Sequence, residues 1–276
     1  GALGMTLVII SGGIDLSVGS VIALSTIVVA RILNLGPASP GAAATFAAAL
    51  GGILIGALAG LCSGGISSGL RIVPFIVTLG MMQIARGTAK WLGNEQTVLA
   101  PRTWLNSLMD VDPEPGWLVL APGVWTLLIL TAVLTVVLNR TVFGRYVFAL
   151  GSNESAARLC GVRIARTRTI IYALAGAFTG MAGVMQFANL TVGDPTAARG
   201  MELDIIAAVV IGGGSLNGGE GSALGSVIGA LMMALLRNGC NLVGIPNYVQ
   251  NILIGAIIIG AVAADRYKTR RRQAVN

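Results

Sequence analysis

The chain of 276 residues is 55% hydrophobic and only 11% charged, too apolar to be kept in water as one soluble domain. A barrel is excluded as well, because lipid-facing strands alternate apolar and polar residues and no such alternation runs through the sequence. The net charge of +7 is gathered into two stretches, which points to membrane orientation and away from a nucleic-acid partner.

A bilayer core of about 30 Å needs roughly 20 apolar helical residues. The windows 32–70, 115–139, 170–193 and 238–264 meet that length without a charged side chain. The fold class expected is therefore all-α: a polytopic membrane protein with about nine helical segments, arranged as one transmembrane domain over residues 1–276. From 140 to 168 there are six Arg and one acid, and the tail DRYKTRRR adds five Lys or Arg. By contrast, 93–121 sets Arg102 against Glu95, Asp110, Asp112 and Glu114, and 193–204 sets Arg199 against Asp194, Glu202 and Asp204. The excess of basic residues in cytoplasmic loops then places the loop 140–168 and the tail 265–276 inside the cell, and the two acidic stretches outside.

Counting from the basic loop gives the order of spans. Residues 1–11 form the end of an inward helix, 17–33 run outward, 41–67 inward, 72–92 outward and 117–139 inward. After the loop, 169–190 run outward, 203–214 inward but too briefly to cross alone, 222–243 outward and 248–264 inward to the tail. The chain opens GALGMTLVII in mid-helix without an initiator Met. The expectation is a partial chain with an incomplete first segment, an upstream helix missing and ten helices in the full protein. No basic residue precedes the first apolar run, so no signal peptide is visible.

Two glycine-rich breaks interrupt the apolar pattern. The first, SGGIDLSVGS, contains Gly12, Gly13, Ser17 and Asp15, the one charged residue before Arg31. An aspartate at membrane depth costs about 2.5 to 3.5 kcal/mol even on insertion scales, so it must find donors. Asp15 is placed to accept backbone N–H bonds at the start of the next helix, or to line or gate a route. The second break, GGGSLNGGEGS, contains Gly213, Gly214 and Asn217. Each break follows an apolar strip and leads into GSVI; an internal repeat or glycine bias alone accounts for this. Unwound backbone in a membrane persists only where protein or a watery cavity satisfies it, and such breaks are common along transport pathways.

Other polar residues near helix midpoints, Ser25, Thr26, Thr78, Gln83, Gln186 and Asn189, either face such a path or bond to neighbouring helices. Arg86 and Lys90 lie near the outer end of their helix, where long side chains reach the interface; Arg237, about one and a half turns from the outer end of the otherwise uncharged 222–243, either does the same or is a functional charge. The absence of histidine removes the usual general base. Cys62, Cys160 and Cys240 are too far apart in sequence for a zinc motif, so no metal site is expected. GGGSLNGGEGS lacks the Lys-Ser or Lys-Thr of a phosphate-cradling loop, so the chain is not expected to hydrolyse ATP.

The stretch FGRYVFALGSNESAARLCGVRIARTR, 143–168, carries the most information. Ser152 or Asn153 can cap a short helix, ESAARLCG, that Gly161 ends, and Ser155, Ala156 and Ala157 give it a flat face suited to a groove on another protein. An ordinary amphipathic connection between spans is the alternative on the residues alone. Together with GMTLVIISGGIDLSVGS, PFIVTLGMMQIARG and GGGSLNGGEGSALG, this stretch resembles the permease subunits of bacterial ATP-binding-cassette importers of the ribose type. The resemblance implies a permease in the bacterial inner membrane, paired with a second copy or a homologue, with its carboxy terminus in the cytoplasm. It further implies a cytoplasmic ATPase that uses ATP and Mg, no cofactor bound by this chain, and an extracytoplasmic binding protein that delivers a monosaccharide. In that family the loop helix couples ATPase to permease. Asn153, Glu154, Ala156, Ala157 and Gly161 match it here, with Gly151 and Arg158 in the same set. The branched-chain amino-acid permeases share the architecture, but Ile14, Asp15, Ser17 and FALGSNESAARL favour sugar. An ion-gradient-driven secondary transporter is the other class. It normally keeps ionisable groups at mid-membrane for coupling, and apart from Asp15 and Glu220 the chain has few.

Overall fold

The computed structural model describes residues 1–37, 39–110 and 119–275, with the side chains at 261, 262 and 264–275 left out. Among the described residues there are eleven α-helices: α1 (Ala2–Ile10), α2 (Val18–Asn34), α3 (Ala42–Gly69), α4 (Pro74–Gly93), α5 (Pro122–Arg140), α6 (Val142–Ser152), α7 (Glu154–Leu159), α8 (Ile164–Leu190), α9 (Met201–Ile211), α10 (Ala223–Leu242) and α11 (Asn247–Val275). The protein is a polytopic helical membrane protein, as its composition requires. By length and composition α3, α5, α8 and α10 are each able to cross a membrane. Beyond the nine expected segments and the short helix expected within the basic loop, which is α7, the additional helix is α6, also in that loop. The uncharged windows 32–70 and 238–264 are each divided between helices, α2 ending at Asn34 before α3 starts at Ala42 and α10 ending at Leu242 before α11 starts at Asn247. Asp112, Glu114 and the expected start of a span at Trp117 lie outside the described residues, and α11 continues through the tail to Val275.

The centre of the fold is the pairing of α3 with α8. Gly52, Gly56, Gly60 and Gly64 recur every fourth residue on α3 and face Tyr172, Gly176 and Gly180 on α8. A methyl group on Gly56 would strike the Gly176 carbonyl oxygen, and one on Gly60 the Tyr172 carbonyl oxygen. Without a hydrophobic force between helices in lipid, close backbone approach through small residues is what holds them together. Ser25 of α2 joins the pair by donating to the carbonyls of Gly52 at 3.0 Å and Gly180 at 2.9 Å. α1 is apolar all round, and Leu3 to Ile10 are all buried, as such a helix must be when protein surrounds it.

Segments far apart in the chain are tied together at the helix ends. On the face expected to lie outside, Val98–Leu99 pairs antiparallel with Val192–Gly193. Asn106 donates to Ala188 O and Thr191 Oγ1, Arg31 to Leu92 O and Asn34 to Leu99 O. Here two sequence expectations are corrected. Arg86 does not reach for the interface: its guanidinium donates to the carbonyls of Pro195 and Ala197, both at 2.9 Å, and so staples α4 to the loop before α9. Arg237 of α10 forms an ion pair with Asp204 of α9 at 2.5 Å. The arginine is held because the acid on the antiparallel neighbour is a nearer and less hydrated partner than the headgroups.

Candidate functional site

On the opposite face, expected to be cytoplasmic, the segment from α6 to α8 is built by local capping. Thr141 accepts from Gly144 N to start α6 at 3.1 Å, and Asn153 accepts from Ala156 N at 2.9 Å to start α7. Gly161, with φ +83°, ends α7: its N–H bonds to Arg158 O, and Val162 N–H bonds to Ala157 O. That closure is the left-handed cap the sequence predicts, because the turn needs a positive φ that glycine adopts without strain. Glu154 accepts from Arg158 at 3.0 Å and Arg168 at 2.6 Å, tying α7 to the second turn of α8. Burial pushes the Glu154 carboxyl up, but Arg168 and then Arg158 outweigh it and hold the group below its ordinary value.

The outward side of α7 differs from the expectation. Ala157 is only 4% exposed and packs into the protein's own core, so Ser155, Ala156 and Ala157 do not form one flat outer face. Helical geometry turns residue 157 inward while 155, 156 and 159 point out. Ser155 and Ala156 are exposed, and Leu159 is 90% exposed. Sequence reading passed over Leu159; an apolar residue one turn beyond Ser155 on a polar helix was the signal available. Beside α7 lies an open cleft of about 880 Å³, lined by Arg71, Arg158, Arg163, Arg166 and Arg168 together with the α3–α4 turn.

The two breaks meet just above this segment. α1 closes with Gly12 N–H on Ile9 O and Gly13 N–H on Val8 O, while α9 closes with Gly213 N–H on Val210 O and Gly214 N–H on Val209 O. The same bonds fall at matched positions of VIISGG and VVIGGG, with Gly12 at φ +77° and Gly213 at +92°, the left-handed helix ending that glycine commonly provides. Gly219 N–H of the second break donates to Ile10 O of the first at 2.8 Å. Gly151, near the end of α6, is pressed against both: a methyl group there would collide with Ile10 O and fall 2.5 Å from Gly219 N. Of the residues named from sequence, the structure thus unites Gly12, Gly151 and the second break. Asn217 is exposed apart from them, and Gly218 and Gly219, which make the contact, were not singled out.

Asp15 sits on the other side of the first break. Its Oδ1 accepts from Ser17 N–H at 2.8 Å and Ser17 Oγ at 2.6 Å. The expected acceptance of a backbone N–H by Asp15 is thus present, from Ser17, whose backbone is already helical and whose own side chain makes no capping bond. Thr78 of α4 accepts from Leu16 N–H and donates to Ile14 O. A methyl group on Gly13 would fall 2.5 Å from the buried hydroxyl of Tyr172. Ser25 and Thr26 are buried and bonded to carbonyls of neighbouring segments, a packing role. Gln83 and Asn189 are exposed and Gln186 is half-buried.

Short helices that stop within the protein, broken at glycines and backed by full-length spans, are a construction used by membrane permeases. The chain belongs to the family described as branched-chain amino acid transport system, permease component, whose model matches residues 1–262. It is 40% identical over 273 residues to the ribose import permease protein RbsC of Escherichia coli strain K12, covering 97% of this chain and 81% of that protein. It is 38% identical to RbsC of Bacillus subtilis strain 168, covering 97% and 81%. It is 33% identical to the L-arabinose ABC transporter permease protein AraH of Azospirillum brasilense, covering 99% and 78%. No solved structure matches.

Proposed function

We propose that the chain is the permease subunit of an ATP-driven, binding-protein-dependent monosaccharide importer in the bacterial inner membrane. The observation that carries this reading is α7: a capped helix, fixed by Glu154 to Arg168, that presents the exposed Leu159 on the arginine-rich face. A short helix held rigidly at the surface takes a push from a partner without bending, and the relatives named as ABC transporter permease proteins imply a cytoplasmic ATPase as that partner. The relatives named for ribose, arabinose and fructose import favour a sugar over an amino acid as cargo. Two permease chains enclose the path, the ATPase uses ATP and Mg, and the binding protein delivers the sugar from outside. The basic loop and the carboxy terminus face the cytoplasm.

Cargo moves by alternating access. Closure of the ATPase pair shifts α7, and the broken segments 11–17 and 212–222, which meet each other and the end of α6, are where that shift enters the core. The test is uptake by the purified complex in liposomes. Sugar accumulates only with ATP inside and binding protein outside, whereas uptake driven by a proton or sodium gradient alone refutes the proposal.

A further inference from the structure

We infer that Gly151, Ile10 and Gly219 form a rigid joint that delivers movement of the α6–α7 segment to both helix breaks at once. The inference rests on the reading of α7 as the ATPase-docking helix and assigns the residues that carry the motion inward from it. Three observations lead to it. The contact is backbone on backbone: Gly219 N–H bonds to Ile10 O, and no side chain separates Gly151 from either. Contacts made through long side chains yield by changing rotamer, whereas interlocked main chains move together.

Second, Gly151 lies within helix α6 and shows no positive φ. Alanine is the better helix residue at such a position, so the backbone conformation does not call for glycine and the close approach does. The neighbouring contacts have the same character: Gly218 lies against Gly151 and Gly12, and Gly219 against Ser152. Third, the path to the docking helix has no slack. Gly151 and Ser152 end α6, Asn153 caps α7, and Glu154 begins it. A push on α7 therefore reaches Ile10, the last residue of α1, and the second break, which follows α9. Both short helices are bedded in the core, so their displacement is shared with α8 and α10. Gly151 in this scheme is a positioning residue that touches no substrate.

Two experiments test the joint in the assembled complex of permease, ATPase and binding protein. Gly151→Ala and Gly151→Val are reconstituted in liposomes. The expected result is a complex that still co-purifies and still hydrolyses ATP, with sugar transported per ATP lowered tenfold or more for the valine variant and less for alanine. Wild-type transport per ATP in Gly151→Val overturns the inference. The second experiment does not depend on uptake. In a background with Cys62, Cys160 and Cys240 replaced by Ser, cysteines are placed at Ser152 and Gly219, where an added Cβ at 219 would lie 3.2 Å from that of Ser152, a little inside the disulfide span of about 3.5–4.5 Å. A rigid joint cross-links to the same extent in the nucleotide-free complex and in one trapped with a non-hydrolysable ATP analogue. Loss of cross-linking in either state shows that the joint opens, and the inference falls. Absence of ATP-dependent uptake by the unmodified complex counts against the importer reading, and the cross-linking comparison still decides the joint.

Discussion

Asn153 and Glu154 together hold α7, a helix too short to persist alone. The cap bond from Ala156 N–H to Asn153 is worth about 1 kcal/mol, and Glu154 adds the link to α8. Because Arg168 and Arg158 keep the Glu154 carboxyl below its ordinary value of 4.5, its contribution is fully present above that value. It is lost as pH falls through the lower, folded-state value. Hydrogen exchange of amides 154–162 should therefore show protection that is flat from neutral pH down to 4.5 and declines below it. In Glu154→Gln the protection should be lower at neutral pH and show no such step. A wild-type step at neutral pH would mean that the arginines do not hold this carboxylate. The side chain is partly exposed and solvent screens the pair, so the effect belongs to the helix and not to the stability of the whole protein.

At the level of elements, the α3–α8 pair and the two breaks use glycine for opposite ends. Along α3 glycine removes side chains so that two long helices touch along their length; at Gly12 and Gly213 it permits a positive φ that ends a helix early. A large side chain on α3 is consequently more damaging than the same change on an outward face. Gly56→Leu is expected to separate α3 from α8 and cost several kcal/mol by overpacking, beyond the usual 1–3 kcal/mol range, because the obstacle is backbone. Gly65→Leu, where a Cβ meets nothing within 4 Å, should be near neutral. Thermal unfolding in detergent compares the two, and equal midpoints would show that the helices do not meet at Gly56.

On the scale of the whole molecule, one arrangement joins the two faces. The face expected to lie outside is tied by Arg86, Asn106 and the strand pair, and the face expected to lie inside is open around α7 and the arginine cleft. Cys160, exposed at the end of α7, reports which face is which. With Cys62 and Cys240 replaced, a membrane-impermeant maleimide should label it in inverted vesicles and not in right-side-out vesicles. Labelling from outside reverses the topology and removes the ATPase from reach of α7.

The sequence by itself determined the helical class, the order of segments and the capped helix at Asn153 to Gly161. These depend on local properties: apolar length against bilayer thickness, the placement of Arg and Lys, and side chains that bond within three or four residues. It also located both breaks, since glycine clusters stand out in an apolar chain. Only the tertiary structure decided that Ala157 turns inward and Leu159 outward, and that Arg86 and Arg237 are held by the protein instead of the interface. It alone brought Gly151 against Ile10 and Gly219. Those outcomes join residues far apart in the chain, and a glycine leaves no side-chain pattern from which its distant neighbour can be read.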